Sequence, residues 1–161
     1  MINLTKKAFT DSENMGRKKA LAALNTIELF DDGFDDYKIY ATGMNCNWDF
    51  EVIDNQTKEL LAVIEAKDRQ MPSTDYRVRK EGTQLEAQKF DSLNEKAERD
   101  LIPAYYLATF TDNVFMMWDV TSAPYTEDTR MCNKTTAVNR GKIEKHCYYF
   151  ATRDAQFKGK Y

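Results

Sequence analysis

Apolar residues recur at helical spacing through "TDSENMGRKKALAALNTIELFDDG", where Met15, Ala20, Leu21, Leu24, Ile27 and Phe30 fall on or near one face. The pattern predicts a helix over about residues 12–30, with Thr10 and Glu13 spaced as a capping box and Gly33 as the stop. "YKIYATG" follows as a short strand ending near Gly43. In "WDFEVID" the period drops to two: Trp48, Phe50 and Val52 alternate with Asp49, Glu51 and Ile53, which predicts a strand with one apolar face. "ELLAVIEAK" predicts a more buried strand, and "DNQTK" supplies the turn between them. Beyond a loop containing Pro72, "DYRVRKEGTQLEAQKFDSLNEKAERD" reads as a second helix over about residues 75–99, with Gly82 as its weak point. "AYYLATF" and "VFMMWDV" form another hairpin across "TDN", residues 121–142 read as a long polar loop, and "KHCYYFAT" as a last strand. A helix, three strands, a helix and further strands make an α/β fold, with a mixed central β-sheet flanked by helices.

Composition narrows the class. A chain of 161 residues suits a single domain over 1–161, able to bury about two-thirds of its unfolded surface. Charged residues make up 30% of it, as in globular proteins. The longest apolar run, around Leu101 to Phe110, is too short for a bilayer span, so no membrane partner is expected. "MINLTKKAFTDSE" has neither the apolar core nor the small-residue cleavage site of a secretory signal, and a cytoplasmic location is expected. Cys46, Cys132 and Cys147 are odd in number and widely spaced, which suits reduced thiols. With no CxxC or CxxH pair, zinc held by these cysteines and His146 is disfavoured. The net charge of −3 hides an asymmetry: residues 130–161 carry +6 and the first 129 carry −9. That basic segment, packed on or extending the domain, is interleaved with Tyr148, Tyr149, Phe150, Phe157 and Tyr161. It has the composition to track a phosphate backbone and stack bases, or else to be a solvated strand and terminus.

Candidate chemistry lies in the first hairpin. Glu65 and Lys67 are two apart on one strand and share a face. Whether Asp49 joins them depends on register. An odd-length turn centred on Thr57 makes partner numbers sum to 114 and sets Asp49 opposite Glu65, about 5 Å away between β-carbons. An even turn gives 113 and points Asp49 to the other face; 114 is the expectation adopted. Two carboxylates so close repel each other unless a cation sits between them. A hard ion such as Mg²⁺ takes oxygen ligands and keeps several waters. It would polarise a phosphoryl oxygen and acidify a bound water, while Lys67 orients that water or neutralises charge building on phosphorus. Phosphodiester hydrolysis is the chemistry these residues suit.

Asp49, fifteen residues, then Glu65-Ala66-Lys67, on the second and third strands after a leading helix, resembles the PD-(D/E)xK nucleases of the restriction-endonuclease-like fold. The likeness covers about residues 10–110 in element order (an αβββαβ core) and three positions in identity, with Trp48 where the family has proline. It implies a Mg²⁺- or Mn²⁺-dependent DNA endonuclease that leaves a 3′-hydroxyl. Asp49 and Glu65 would be metal ligands, the Ala66 carbonyl a further ligand, and Lys67 would assist the water. Many members carry an extra acid on the first helix. Glu13 and Glu28 both qualify by rotation but lie about 22 Å apart, and an antiparallel first strand favours Glu13. The competing role for Glu13 is to close the capping box. The second helix begins just after Lys67, and its free amides would attract phosphate. Arg69, Arg77, Arg79 and Lys80 surround that entry, with Gln84 and Lys89 following, as candidate nucleic-acid contacts. Two cuts on opposite strands would suit a homodimer. The alternative function is a nuclease-like fold that binds nucleic acid or protein without cutting.

Overall fold

The structure, a computed structural model, describes residues 4–43, 45–133 and 141–161, with side chains from residue 14 onward apart from that of Asn133. Its elements are α1 (Leu4–Leu24), β1 (Tyr37–Ala41), β2 (Phe50–Asp54), β3 (Leu60–Asp68), α2 (Tyr76–Glu81), β4 (Thr83–Glu86), α3 (Ala87–Asp100), β5 (Ala104–Thr109), β6 (Val114–Asp119), β7 (Thr126–Asn133), β8 (Lys142–Phe150) and β9 (Phe157–Lys160). A six-stranded sheet runs in the order β1-β2-β3-β5-β6-β9, and a three-stranded one in the order β4-β8-β7. All pairs are antiparallel except β3 with β5, so the larger sheet is mixed and the fold is α/β, as expected.

β3 lies inside the larger sheet, and its alternation feeds two cores. Val63 joins Phe90, Leu93 and Ala97 of α3, with Tyr106, Trp118 and Phe150. Ile64 joins Ala20, Ala23 and Leu24 of α1, with Phe50, Val52 and Leu107. Each large apolar side chain so buried stabilises the fold by about 1.5–3 kcal/mol. Helices on the two faces of one strand position whatever charged groups that strand carries.

Several elements differ from expectation. The first helix ends at Leu24 rather than near residue 30. Thr26 tightens that end, its backbone N–H and its hydroxyl both donating to the Ala23 carbonyl. In the non-helical chain that follows, Leu29 is buried and Ile27 and Phe30 are half-buried against the same core, mimicking helical spacing. Thr10 lies inside α1 and is no cap, Gly33 sits in a later turn at φ 71°, and Glu28 is exposed beyond the helix.

The helix expected over 75–99 is instead α2, β4 and α3. Gly82, at φ 91°, makes the break: a β-carbon there would lie 2.4 Å from the Phe150 carbonyl oxygen. The chain then runs extended, with Thr83 paired to Phe150 and Leu85 to Tyr148. The expected polar loop over 121–142 contains β7, which pairs with β8 from Thr126↔Tyr149 to Asn133↔Lys142. Its side chains are largely exposed and show no apolar alternation, so backbone pairing alone defines it.

In the first hairpin the ladder is Phe50↔Ile64, Glu51↔Val63 and Val52↔Ala62, then Ile53↔Leu60. The sum is 114 beside the site but 113 at the turn. The turn is therefore even, and Leu61 is the extra residue of a bulge that restores the expected register. β2 also begins at Phe50, so Trp48 does not share its apolar face: Trp48 packs with the α3-side core, Phe50 and Val52 with the α1-side core.

Candidate active site

Asp49 precedes β2, and its place is fixed by main-chain bonds: its N–H donates to the Ile64 carbonyl (2.9 Å) and its carbonyl accepts from the Thr42 N–H (2.8 Å). From there its carboxylate reaches across to β3, where Oδ2 accepts from the Ala66 N–H at 2.9 Å. Glu65 projects on the α3 side, 1% exposed. Its Oε1 lies 3.2 Å from Lys67 Nζ and its Oε2 3.4 Å from Lys89 Nζ. Lys89 also donates to the Asn47 carbonyl at 3.0 Å, tying α3 to the segment before Asp49. Arg17 of α1 approaches Asp49 Oδ1 at 3.6 Å. Glu65, Ala66 and Lys67 are thus consecutive on β3, Asp49 joins them through its bond to the Ala66 N–H, and Lys89 and Arg17 are added from the helices.

Electrostatics follow from this burial. Desolvation pushes the Glu65 carboxyl above its ordinary range, opposed by Lys67 and Lys89 and reinforced by the Asp49 charge. Desolvation alone would pull Lys67 down, but the adjoining Glu65 carboxylate outweighs it, and its ammonium is held above the ordinary value. Lys67 is therefore a cation and a hydrogen-bond donor at neutral pH.

No protein-family model, curated protein or solved structure matches the chain.

The donor set can be tested against a metal directly. Among the described residues no group of three or more His, Cys, Asp and Glu side chains is gathered for an ion. Two carboxylates and a carbonyl suit Mg²⁺ or Mn²⁺, hard ions that complete their shells with water, and do not suit a structural zinc. The three ion pairs on the carboxylates, at 3.2, 3.4 and 3.6 Å, are all longer than the 2.7–2.9 Å of a tight charge-assisted bond. Lone pairs on both acids thus remain for a ligand. Three cations around two acids leave a positive surplus, which favours an anionic substrate.

The remaining candidates divide. The Glu13 side chain lies outside the described residues. Arg69 turns inward, donating to the Gln84 carbonyl and the Tyr106 hydroxyl. Arg77 bonds its own N-cap, Asp75, at 3.0 Å. Arg79 and Lys80 line a cleft of about 550 Å³ with Arg130 and Arg153, balanced by Glu81, Glu127, Asp128 and Asp154. Gln84 points to the thiols of Cys132 and Cys147. Lys89, expected as a nucleic-acid contact, lies at the site itself, 3.4 Å from Glu65 Oε2. Arg17 is absent from the expected site; its one signal is position, about one turn before the buried Ala20 on the same helix.

The described aromatic residues of the basic segment pack inward. Tyr148 stacks on Phe90 at 4.2 Å, Phe150 is fully buried, and Phe157 packs on Tyr105. Lys19 of α1 holds Asp68 at 3.0 Å on the opposite face of β3, where Thr109 also donates to Asp68 at 3.0 Å. Among the described residues no helix is long and apolar enough to cross a membrane.

Proposed function

We propose that the chain is a Mg²⁺- or Mn²⁺-dependent DNA endonuclease with a restriction-endonuclease-like fold. The observation that carries this reading is the seating of the Asp49 carboxylate on the Ala66 N–H, one residue from Glu65, with Lys67 paired to Glu65 at 3.2 Å. The order α1, three antiparallel strands, a helical crossover and the parallel strand β5 supports an αβββαβ core.

Asp49, Glu65 and the Ala66 carbonyl would hold the ion. When bound, it supplies a polarised phosphoryl oxygen and a more acidic water. The Lys67 ammonium donates to that water or to a non-bridging oxygen as negative charge grows on phosphorus. Lys89 holds the second Glu65 oxygen, which fixes the carboxylate during the reaction. Water adds its oxygen to phosphorus, the 3′-oxygen leaves and takes a proton, and a 5′-phosphate and a 3′-hydroxyl result. Two copies related by a twofold would cut both strands of a duplex.

A second reading has its own observation. Arg17, Lys67 and Lys89 already offset both carboxylates, as in a nuclease-like fold that binds nucleic acid without cutting it. Cleavage of supercoiled plasmid and of labelled single-stranded and branched DNA, with Mg²⁺, Mn²⁺ or EDTA, separates the two. The nuclease reading expects metal-dependent cutting that falls at least about a hundredfold in Lys67→Ala. Salt-sensitive DNA retention with no cutting under any metal would favour the binder.

A further inference from the structure

The two helices bring their cations to the two acids differently. Lys89 of α3 and Lys67 both close on Glu65, at 3.4 and 3.2 Å. Arg17 comes from α1, which packs on the other face of the sheet. Among the described residues Asp49 is its one ion-pair partner, at 3.6 Å, and it is the one ion-pair partner of Asp49. The next two positions of the helix point elsewhere: Lys18 is exposed, and Lys19 is held by Asp68 at 3.0 Å.

The Asp49 carboxylate is divided between two neighbours. Oδ2 accepts from the Ala66 N–H at 2.9 Å, while Oδ1 accepts no hydrogen bond among the described residues and faces Arg17 across 3.6 Å. That separation exceeds the 2.7–2.9 Å of a charge-assisted bond, so the guanidinium sits beside the carboxylate without being fixed to it. Both side chains are 26% exposed, and a pair so open to solvent holds only weakly. A hard divalent cation at Asp49 would take the oxygen that hydrogen bonds leave free, and it would repel the guanidinium beside it. A displaced arginine has a better acceptor in a phosphodiester, whose two non-bridging oxygens match its planar fork of donors.

We propose that Arg17 contacts a phosphate of DNA bound at this site, and that Asp49 holds the guanidinium in place until a divalent cation takes Oδ1. The inference rests on the endonuclease reading for its ligand. It gives the α1 side of the site a task separate from that of Lys67. Lys67 answers charge at the reacting phosphorus, whereas Arg17 anchors a phosphate and adds affinity whatever the base sequence.

Salt titrations of binding to a labelled DNA duplex, read by fluorescence anisotropy in Ca²⁺, test the contact; calorimetric titration of the full chain with Mn²⁺ in the absence of DNA tests the exchange. Arg17→Gln should weaken duplex binding about tenfold and lower the slope of log affinity against log salt by about one. With the repelling charge gone, it should bind Mn²⁺ about fivefold more tightly. Arg17→Lys keeps the charge, guards against a variant that folds poorly, and should retain the salt slope while losing part of the affinity. Lys18→Gln removes the same charge from the next, exposed position and should change neither quantity. An unchanged slope, no tightening of Mn²⁺ binding, or equal losses in Arg17→Gln and Lys18→Gln would overturn the proposal. The endonuclease reading fails separately. Metal-dependent cutting with an unchanged slope leaves that reading standing without Arg17; a lowered slope and tighter Mn²⁺ in a protein that cuts under no metal keep Arg17 and remove the nuclease. A wild type that binds no duplex would overturn both.

Discussion

Glu65 sets the terms at the residue scale, because a carboxylate 1% exposed is costly to ionise whatever it is used for. Burial holds its folded pKa above the ordinary 4.5. The folded state thus keeps this proton more tightly than the unfolded one. The resulting stability is complete below pH 4.5 and is lost as pH rises through the folded value. Glu65→Gln does not titrate, so in EDTA at pH 7–8 it should melt about 3 °C above the wild type, roughly 1 kcal/mol at this size. That gain should vanish in melts below pH 4.5. Metal linkage runs the other way. At a hundred times its Kd, Mg²⁺ should stabilise the wild type by about 2.7 kcal/mol, fade as acid protonates Glu65, and do nothing for Glu65→Gln; thermal melts across pH read this directly. Asp49, Glu65 and Lys67 were legible because charged residues interrupt two strand patterns. Arg17 and Lys89 were not seen as partners of the acids, since their meeting depends on how α1 and α3 lie on the sheet, which periodicity does not encode.

At the scale of elements, the break at Gly82 decides more than a helix boundary. It frees Thr83–Glu86 to pair with β8 and starts α3 where Lys89 meets Glu65. Gly82→Ala would drive a methyl to within 2.4 Å of a backbone oxygen at a positive φ. It should cost on the order of 2–4 kcal/mol in urea unfolding, and it should loosen α3. The alternation of buried Thr83 and Leu85 directly after a glycine was the available strand signal, but four residues of it sit inside a longer run with helical spacing. β7 offered no comparable signal, because a strand with neither face buried has no alternation to read.

Across the whole molecule, stability is expected to grade from the paired strands β3 and β5 outward. Those two are buried between the cores of α1 and α3, whereas the far half of the β7–β8 pair covers no apolar surface of its own. Hydrogen exchange should be slowest in Val63–Ala66 and Tyr105–Ala108 and fastest in Thr129–Cys132 and Lys142–Lys145, separated by several orders of magnitude. The α/β class and the central hairpin were readable from sequence because their strands alternate or are wholly apolar; the second sheet was not, being assembled from a short strand after a glycine and a polar one. The bulge at Leu61 bears on how such chains are recognised at all. What places Asp49 and Glu65 together is a parity, and the fifteen intervening residues satisfy it only because one of them is skipped by the ladder. A chain with the same even turn, an unbroken ladder and fourteen intervening residues would present the same acids in the same place. Distance counted along a sequence is therefore the wrong ruler for this pair, and a search that lets turn length and bulge vary together would gather chains that a fixed spacing keeps apart.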